Sequence, residues 1–427
     1  MKQQPIYSLA GIGIGPFNLG LAALVHPMKQ LKAVFLDAAP GFNWHAGMML
    51  EGATLQVSFL ADLVTLANPC SPFSYLNFLR TKNRLLQFGI HERPYIAPTE
   101  YNRYCQWVAA QLPALKFGNR VERLEYDAAS QLYKVSYQNT ETGAANELRA
   151  RHAVAGIGSR PFVPGHCTPL LCETIFHAAD YLFHQKAVAD AATVLVVGAG
   201  QSAAEIVDDL LQRRRGKNII WATRSDRFRA MENHKLAYEM TSPDYTDYFY
   251  NLPHSAKHRL LQGQHTLYKG INQQLIDRIY DHLYGQMTEG AAPSLRLFPG
   301  SELYGITRGP NGQYSALLQH FNGKRKQVEA GCIILATGYT YETPKFLEGI
   351  RPYIGWLPDG RYAVNRDYSI TADHRVFVQN GEMHTHGFNA PDLGLGCYRN
   401  AVILNAILGY ECYPIDRNTA FQEFDWD

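Results

Sequence analysis

The chain has 427 residues, with 40 lysines and arginines against 38 aspartates and glutamates, so its formal charge is +2 with histidines neutral. That balance lacks the basic surplus of a nucleic-acid binder. With 46% hydrophobic residues, 18% charged residues and 35 glycines, the composition excludes a disordered chain and a small disulfide scaffold, and the length suits two or three domains of about 150 residues.

Apolar runs fall short of the ~18 residues a membrane span needs, and Met1-Lys2-Gln3-Gln4-Pro5 has no secretory-signal pattern. The expected compartment is therefore the cytoplasm, with no nucleic-acid or membrane partner.

In chain order, Ile6-Tyr7-Ser8-Leu9-Ala10 reads as a buried strand, Gly11-Ile12-Gly13-Ile14-Gly15-Pro16-Phe17-Asn18 as a glycine turn, and Leu19 to Val25 as a helix. Ala33-Val34-Phe35-Leu36 is a second strand. It ends in Asp37, roughly the ~20 residues beyond the glycines at which a dinucleotide fold places its ribose-binding acid. Ser71-Pro72 and Thr99-Glu100 each open a helix, and Val121 to Tyr126 with Leu132 to Tyr137 alternate as a hairpin.

The same strand, turn and helix recur at Thr193 to Val197, Gly198-Ala199-Gly200-Gln201-Ser202-Ala203-Ala204-Glu205 and on to Leu211, followed by the strand Asn218 to Thr223. Either glycine pattern alone is a weak signal. In this context glycines let the backbone approach a pyrophosphate at a helix N-terminus. Residues 230–290, rich in Tyr and His at helical spacing, form an insertion; strands at Cys332 to Leu335 and Arg375 to Val378 bring the chain back. Asp392 precedes a helix over Leu393 to Leu408, whose N-terminus suits a partner with negative charge.

The fold class is thus α/β, with two Rossmann-like dinucleotide-binding domains and a small, mainly helical substrate region. The expected boundaries are 1–185 with 330–427 for a discontinuous first domain, 190–229 with 291–329 for the second, and 230–290 for the insertion. Two fingerprints in one chain point to two cofactors exchanging a hydride, most simply FAD at the N-terminal site and a nicotinamide at the second. The second site ends its strand in Arg224, with Arg227 and Arg229 following, where an NADH site would carry an acid. Arginines there bind a 2′-phosphate and favour NADPH; the plainer alternative is a solvated basic loop.

Gly13-Ile14-Gly15-Pro16-Phe17-Asn18, Phe42-Asn43-Trp44-His45-Ala46-Gly47-Met48, Leu55-Gln56-Val57-Ser58-Phe59-Leu60-Ala61-Asp62-Leu63-Val64, Gly198-Ala199-Gly200-Gln201-Ser202-Ala203 and Ala336-Thr337-Gly338-Tyr339 with Pro344 together resemble the flavin-dependent N-hydroxylating monooxygenases of siderophore biosynthesis. That family hydroxylates the terminal amine of lysine, ornithine or a diamine. The resemblance runs from about residue 6 to 410. It implies that Gly13, Gly15, Pro16, Phe17, Asn18, Asp37 and Val121 hold FAD, with Trp44, His45, Gln56, Tyr339, Asp392 and Leu393 near the flavin. Gly198, Gly200, Gln201, Ser202 and the three arginines would hold NADPH, and O2 is the co-substrate. It also implies a C4a-hydroperoxyflavin, with Gln56 and Asn18 in catalytic positions, and a homo-oligomer, a tetramer in the family.

The departures bear on substrate. Where amino-acid hydroxylases of the family carry a carboxylate-binding lysine, this chain has Ala61; Tyr238-Glu239 stands for an Asn-Glu pair, and Gly394 for a serine. Each removes a polar partner for an amino-acid head and resembles the diamine branch, with cadaverine slightly ahead of putrescine. L-lysine or L-ornithine hydroxylation is the alternative, and a non-hydroxylating FAD/NADPH oxidoreductase or a silent redox sensor would share both fingerprints. Gly331 replaces an acid common in the family. For a diamine's remote ammonium the candidates are Tyr238, Glu239, Asp244, Tyr245, Asp247 and Tyr248, all of which have ordinary surface or capping roles as the bland reading.

Among the seven cysteines, Cys167 and Cys172 have the CxxxxC spacing of flavin disulfide reductases, but Pro169 between them and their position far downstream argue against a redox pair. His177 and Tyr181 keep two landmarks of the sulfur- and ketone-oxidising flavin monooxygenases, without that family's Phe and Gly. His384 and His386 are spaced HxH, yet they read as a loop against the flavin, and no metal is expected.

Overall fold

The structure, a computed structural model, describes residues 5–213, 216–309 and 311–426. The first glycine turn sits between the strand Ile6–Ile12 and the helix Pro16–Val25. That strand is the centre of a seven-stranded sheet. It pairs in parallel with Ala33–Leu36 on one side and Ala145–Ala155 on the other, and Ala145–Ala155 pairs in turn with Val376–Val378. The expected hairpin forms, as Asn119–Asp127 against Leu132–Asn139, and extends the sheet through Ala145–Ala155. Val376–Val378 and the C-terminal helix Gly396–Leu408 come from the far end of the chain, so both ends build one domain.

The second sheet has five strands, Leu295–Phe298, Asn218–Ala222, Thr193–Val197, Cys332–Leu335 and Ile175–His177 in that order, all parallel. This corrects the expected boundaries at 185 and 330, which assign Ile175–His177 and Cys332–Leu335 to the first domain. The reason is geometric: Gly198 needs the backbone of Ala336 beneath it, and only Cys332–Leu335 paired with Thr193–Val197 brings it there. A three-stranded antiparallel meander, Ser301–Arg308, Tyr314–His320 and Arg325–Ala330, packs on this sheet. Residues 230–290 hold five helices, Lys235–Tyr238, Pro243–Asn251, His254–Gly263, Thr266–Lys269 and Gln273–Thr288.

Two helix starts lie later than expected. Ser74, not Ser71, caps Tyr75–Thr81, because Asp62 takes the Tyr75 N–H at 2.7 Å and Tyr104 holds the Phe73 carbonyl at 2.7 Å, fixing residues 71–74 as a turn. The C-terminal helix begins at Gly396 rather than Leu393, because Asp392 accepts the N–H groups of Gly394 at 2.7 Å and Leu395 at 3.3 Å in a turn before it. Gly331 has a packing reason: a Cβ there would lie 3.1 Å from the Ala191 Cβ. Among the described residues no helix is long and apolar enough to cross a membrane.

Gly13 has φ +85°, and a Cβ on it would sit 2.6 Å from the Gly156 carbonyl oxygen. Gly13→Ala therefore meets both a left-handed penalty of about 1–2 kcal/mol and a backbone clash. Thermal unfolding of Gly13→Ala should begin at least several degrees below that of the unmodified protein, whereas Gly15→Ala, which meets nothing within 4 Å, should unfold close to it.

Candidate functional site

The first turn is built to receive an anion. Gly15 is the N-cap of Pro16–Val25 and offers no side-chain cap, Pro16 follows at the first turn, and the space where a Cβ of Gly15 would point is open. The helix N-terminus thus presents free N–H groups to a pyrophosphate. Asp37 is half-buried at the end of Ala33–Leu36 and accepts Ile14 N–H at 2.6 Å and Ala39 N–H at 2.7 Å. It braces the turn and keeps lone pairs for a ribose hydroxyl. Val121 lies at the same edge, on Asn119–Asp127, whose first residue donates its N–H to the Asp37 carbonyl at 2.7 Å.

Asn18 is fully buried and differs from its expected catalytic position. Its Nδ2 reaches the carbonyls of Gly13 at 2.8 Å, Ile12 at 3.2 Å and Val154 at 3.4 Å, and its Oδ1 accepts from Gln379 Nε2 at 2.8 Å. With donors and acceptor spent on the protein, it pins the turn to the neighbouring strand. Phe17 lies under the Arg399 guanidinium, 4.3 Å from ring centroid to Cζ. Arg399 is itself buried and paired with Glu382.

The second turn opens on a cleft of about 1300 Å³, lined by Gly198, Gly200, Gln201, Ser202, Arg224 and Gln56 among others. A Cβ on Gly198 would lie 2.0 Å from the Ala336 oxygen, while one on Gly200 would meet only the Lys269 oxygen at 4.0 Å, so the turn is tight below and open above. That is the shape a second dinucleotide requires. Arg227, Arg229 and Arg224 differ in availability. Asp226 bonds Arg229 at 2.8 Å and lies 3.8 Å from Arg227, whereas Arg224 forms no ion pair among the described residues. The sequence reading missed Lys269. It lines the cleft from the insertion, and burial and the Arg224 charge lower its pKa. Two cations from different segments thus face the same space.

Gln56 joins these parts: its Nε2 lies 3.3 Å from Gln201 Oε1 and 3.4 Å from the Gly270 carbonyl. Tyr339 lines the cleft and meets His45 and His177 edge-on at 5.6 and 5.4 Å, and His45 meets Trp44 at 4.6 Å. His384 also lines the cleft. Its Nε2 lies 2.8 Å from the Tyr362 carbonyl, and His386 stacks on Tyr368 at 4.3 Å. Both rings are buried, which lowers their pKa, and both serve carbonyl or hydroxyl partners. Cys167 is buried and Cys172 exposed, with Cys172 beside Thr174 and Tyr314.

The expected substrate residues divide. Ala61 and Gly394 face each other: a Cβ on Gly394 would lie 3.8 Å from the Ala61 Cβ and 2.8 Å from Asp392 Oδ1. Asp62 fixes the Ala61 side, taking Val64 N–H at 2.9 Å, Thr65 N–H at 2.6 Å and Tyr75 N–H at 2.7 Å. Gly20 admits this loop, since a Cβ on it would lie 2.7 Å from the Leu63 oxygen. Tyr238 meets the Tyr95 hydroxyl at 3.3 Å, and burial, that bond and the Asp392 charge raise its pKa. Leu393 packs on the first core beside them.

Glu239 points away, accepting the Gln422 N–H and Nε2–H, both at 3.0 Å. Asp244 caps residues 418–420 and Asp247 pairs with Arg366 at 2.6 Å, so three of the expected ammonium partners hold the fold together. Tyr245 and Tyr248 pack with Phe424 at 5.1 and 6.1 Å. Asp392 is different. Its Oδ1 takes both N–H groups of its turn, while Oδ2 accepts no hydrogen bond and no cation pairs with it among the described residues; burial raises its pKa. The sequence reading placed Asp392 only beside the cofactor.

Residues 5–341 match the L-lysine 6-monooxygenase/L-ornithine 5-monooxygenase family. A putrescine N-hydroxylase of Acinetobacter baumannii is 42% identical over 99% of this chain and 95% of that protein. The solved structure of an FAD-bound cadaverine monooxygenase of the desferrioxamine pathway, from Erwinia amylovora, superposes with a TM-score of 0.96 at 44% identity, covering 99% of both chains. A Kutzneria ornithine N-hydroxylase, solved with reduced FAD, NADP+ and L-ornithine, gives 0.89 at 26% identity, over 95% of this chain and 99% of that one.

The charge distribution of the second site makes a distinction testable. Arg224→Ala should raise the KM for NADPH about tenfold, in line with ~1.5–3 kcal/mol for a charge-assisted bond, and leave NADH use nearly unchanged. Replacing Arg227 and Arg229 together should cost less, because Asp226 already engages Arg229 and offsets part of their charge. Steady-state NADPH and NADH titrations of both variants check the order.

Proposed function

This chain belongs to the L-lysine 6-monooxygenase/L-ornithine 5-monooxygenase family, and within it we propose that it N-hydroxylates an aliphatic diamine, cadaverine ahead of putrescine, in siderophore biosynthesis. It is a flavin-dependent N-monooxygenase using FAD, NADPH and O2. The cytoplasm fits its cofactors, and a homo-oligomer fits its family.

The first turn, with Gly13, Gly15 and Asp37, suits FAD, and the second, with Gly198, Gly200, Ser202, Arg224 and Lys269, suits NADPH. When bound, FAD reduced by NADPH supplies the activated oxygen. The protein's part is to deliver a neutral amine to it. A primary amine with pKa near ~10.4 costs about 4 kcal/mol to deprotonate at pH about 7.5, so a water-poor site that favours the uncharged nitrogen has real leverage.

The observation that carries the diamine reading is the pairing of Ala61 with Gly394 beside the unpaired Oδ2 of Asp392. Two small residues offer nothing to a carboxylate. Asp392 provides the acceptor that a remote ammonium needs, and Tyr238 and Tyr95 add phenol faces. An amino-acid head brought there would meet a carboxylate in place of a cation.

Hydroxylamine formation from cadaverine, putrescine, lysine and ornithine at equal concentration tests the reading; a higher kcat/KM for lysine or ornithine would overturn it. Asp392→Asn keeps the cap on Gly394 and removes the charge, so it should raise the diamine KM tenfold or more with little change in the KM for NADPH. Ala61→Lys should depress diamine hydroxylation more severely still. Its ammonium would lie beside Asp392 and take the partner the substrate needs, while any gain toward lysine should be small.

A further inference from the structure

Glu205 stands one turn beyond Gln201 on the helix Gln201–Arg213, and its Oε1 accepts the Gln201 Nε2–H at 2.9 Å. The Gln201 amide is thereby oriented with its oxygen outward, where it accepts Asn272 N–H at 2.9 Å and lies 3.3 Å from Gln56 Nε2. Gln56 reaches on to the Gly270 carbonyl at 3.4 Å. A single amide thus ties the second glycine turn to the Gln56 loop and to the insertion at 270–272. Reversed, it would set its NH2 against two donors, Asn272 N–H and Gln56 Nε2. The acceptor at position 205 reinforces this orientation from the other side, and an ionised carboxylate is an acceptor and nothing else.

We propose that Glu205 is a positioning residue of the nicotinamide half of the site: its carboxylate fixes the Gln201 amide, and through it Gln56 and residues 270–272, in the arrangement that binds NADP(H). The inference rests on the reading of the second turn as the NADP(H) site. Neither Glu205 nor its link to Gln56 follows from the glycine motif, in which Glu205 is an ordinary residue of the first helical turn and a half.

The charged groups facing Glu205 are Asp208 from its own helix and Arg278 from Gln273–Thr288. These two bond each other at 2.8 Å, so the Arg278 charge is largely committed. Burial, with Asp208 adding to it, pushes Glu205 up to about 7 against the pull of Gln201 and Arg278. Above that pH the group is acceptor-only. Below it the protonated carboxyl can also donate, and it no longer holds the Gln201 amide in one orientation as firmly. NADP+ binding should therefore weaken as pH falls through neutrality.

The test is calorimetric titration of the FAD-loaded protein with NADP+ at pH about 6 and about 8.5, with hydroxylamine formed per NADPH consumed as a second readout. The nucleotide's own phosphate also titrates in this range, and His265, whose pKa burial lowers, lines the same cleft, so the comparison that decides is with Glu205→Gln, which has nearly the same shape. At the higher pH that variant should bind NADP+ about threefold to tenfold more weakly than the unmodified protein, the worth of one ordinary hydrogen bond, and the difference should close at the lower pH. Its FAD content should be unchanged. Glu205→Met, with similar length and no carboxylate, should behave alike if Glu205→Gln folds poorly. Parallel pH curves for all three proteins would overturn the role of Glu205 and leave the NADP(H) assignment standing. Failure of the unmodified protein to bind NADP+ would overturn both.

Discussion

Two close backbone approaches set the rest of the molecule. Gly13 rests against the carbonyl of Gly156, and Gly198 against that of Ala336, each at a distance that admits no side chain. In both places the residue beneath the turn directly follows the neighbouring parallel strand, Ala145–Ala155 in one case and Cys332–Leu335 in the other. A turn that must touch the exit of its neighbour strand fixes the register of that strand. It also fixes the axis of the helix that follows and therefore the direction of its free N–H groups. Gly156 adds a second condition, since a Cβ on it would collide with the Asn18 amide at 2.6 Å. Asn18 in turn is held by Gln379, just past Val376–Val378, so the C-terminal part of the chain closes the site that the N-terminal part opens.

The acidic residues then divide between folding and chemistry. Asp62 organises the loop carrying Ala61, Asp244 and Glu239 bind the C-terminal segment, Asp247 holds Arg366, and Glu382 neutralises the buried Arg399. For the buried Asp62 and Glu382 a missing partner costs more than the pair gains, and in all five the hydrogen bonds already made commit the oxygens to the fold. Asp392 sits apart from this pattern. Both backbone bonds fall on one oxygen, leaving the other without a hydrogen-bond partner among the described residues, near Ala61, Gly394 and Tyr238.

Much of this was legible in the residues because glycine spacing and β-branched strands are local signals. The strands Ala33–Leu36, Thr193–Val197 and Cys332–Leu335 lie where their patterns put them. What local pattern could not carry was partnership across the chain. Ile175–His177 and Cys332–Leu335 look like any buried strands, and only their pairing assigns them to the second sheet. Ser71 and Ser74 are equally good caps by composition; the bond that the Tyr75 N–H donates to Asp62, thirteen residues before it, selects Ser74. Glu239 and Asp392 are likewise both plausible anions. The difference lies in Gln422, whose contact with Glu239 spans 183 positions and leaves no trace in spacing. Lys269 gave no signal of its own, since a lysine ending a short helix is ordinary until Arg224 is seen facing the same cleft.

The same accounting explains how selectivity can arise from small residues. At an effective dielectric of about 20, two like charges about 5 Å apart repel by roughly 3 kcal/mol, more than a hundredfold in binding. A carboxylate presented to Asp392 would carry that cost in addition to its own loss of water, and a lysine at position 61 is what would have offset it. With Ala61 and Gly394 in contact range, no cation pairs with Asp392 among the described residues, and the Arg399 charge that reaches it is already paired with Glu382. A substrate ammonium entering this corner would lower the cost of burying that carboxylate. On the proposed reading, discrimination thus comes from a charge retained and a charge removed at adjoining positions. A neutral or singly aminated alkyl chain of similar length would gain only the apolar contact, about 0.8 kcal/mol per buried methylene, and would be held correspondingly less well.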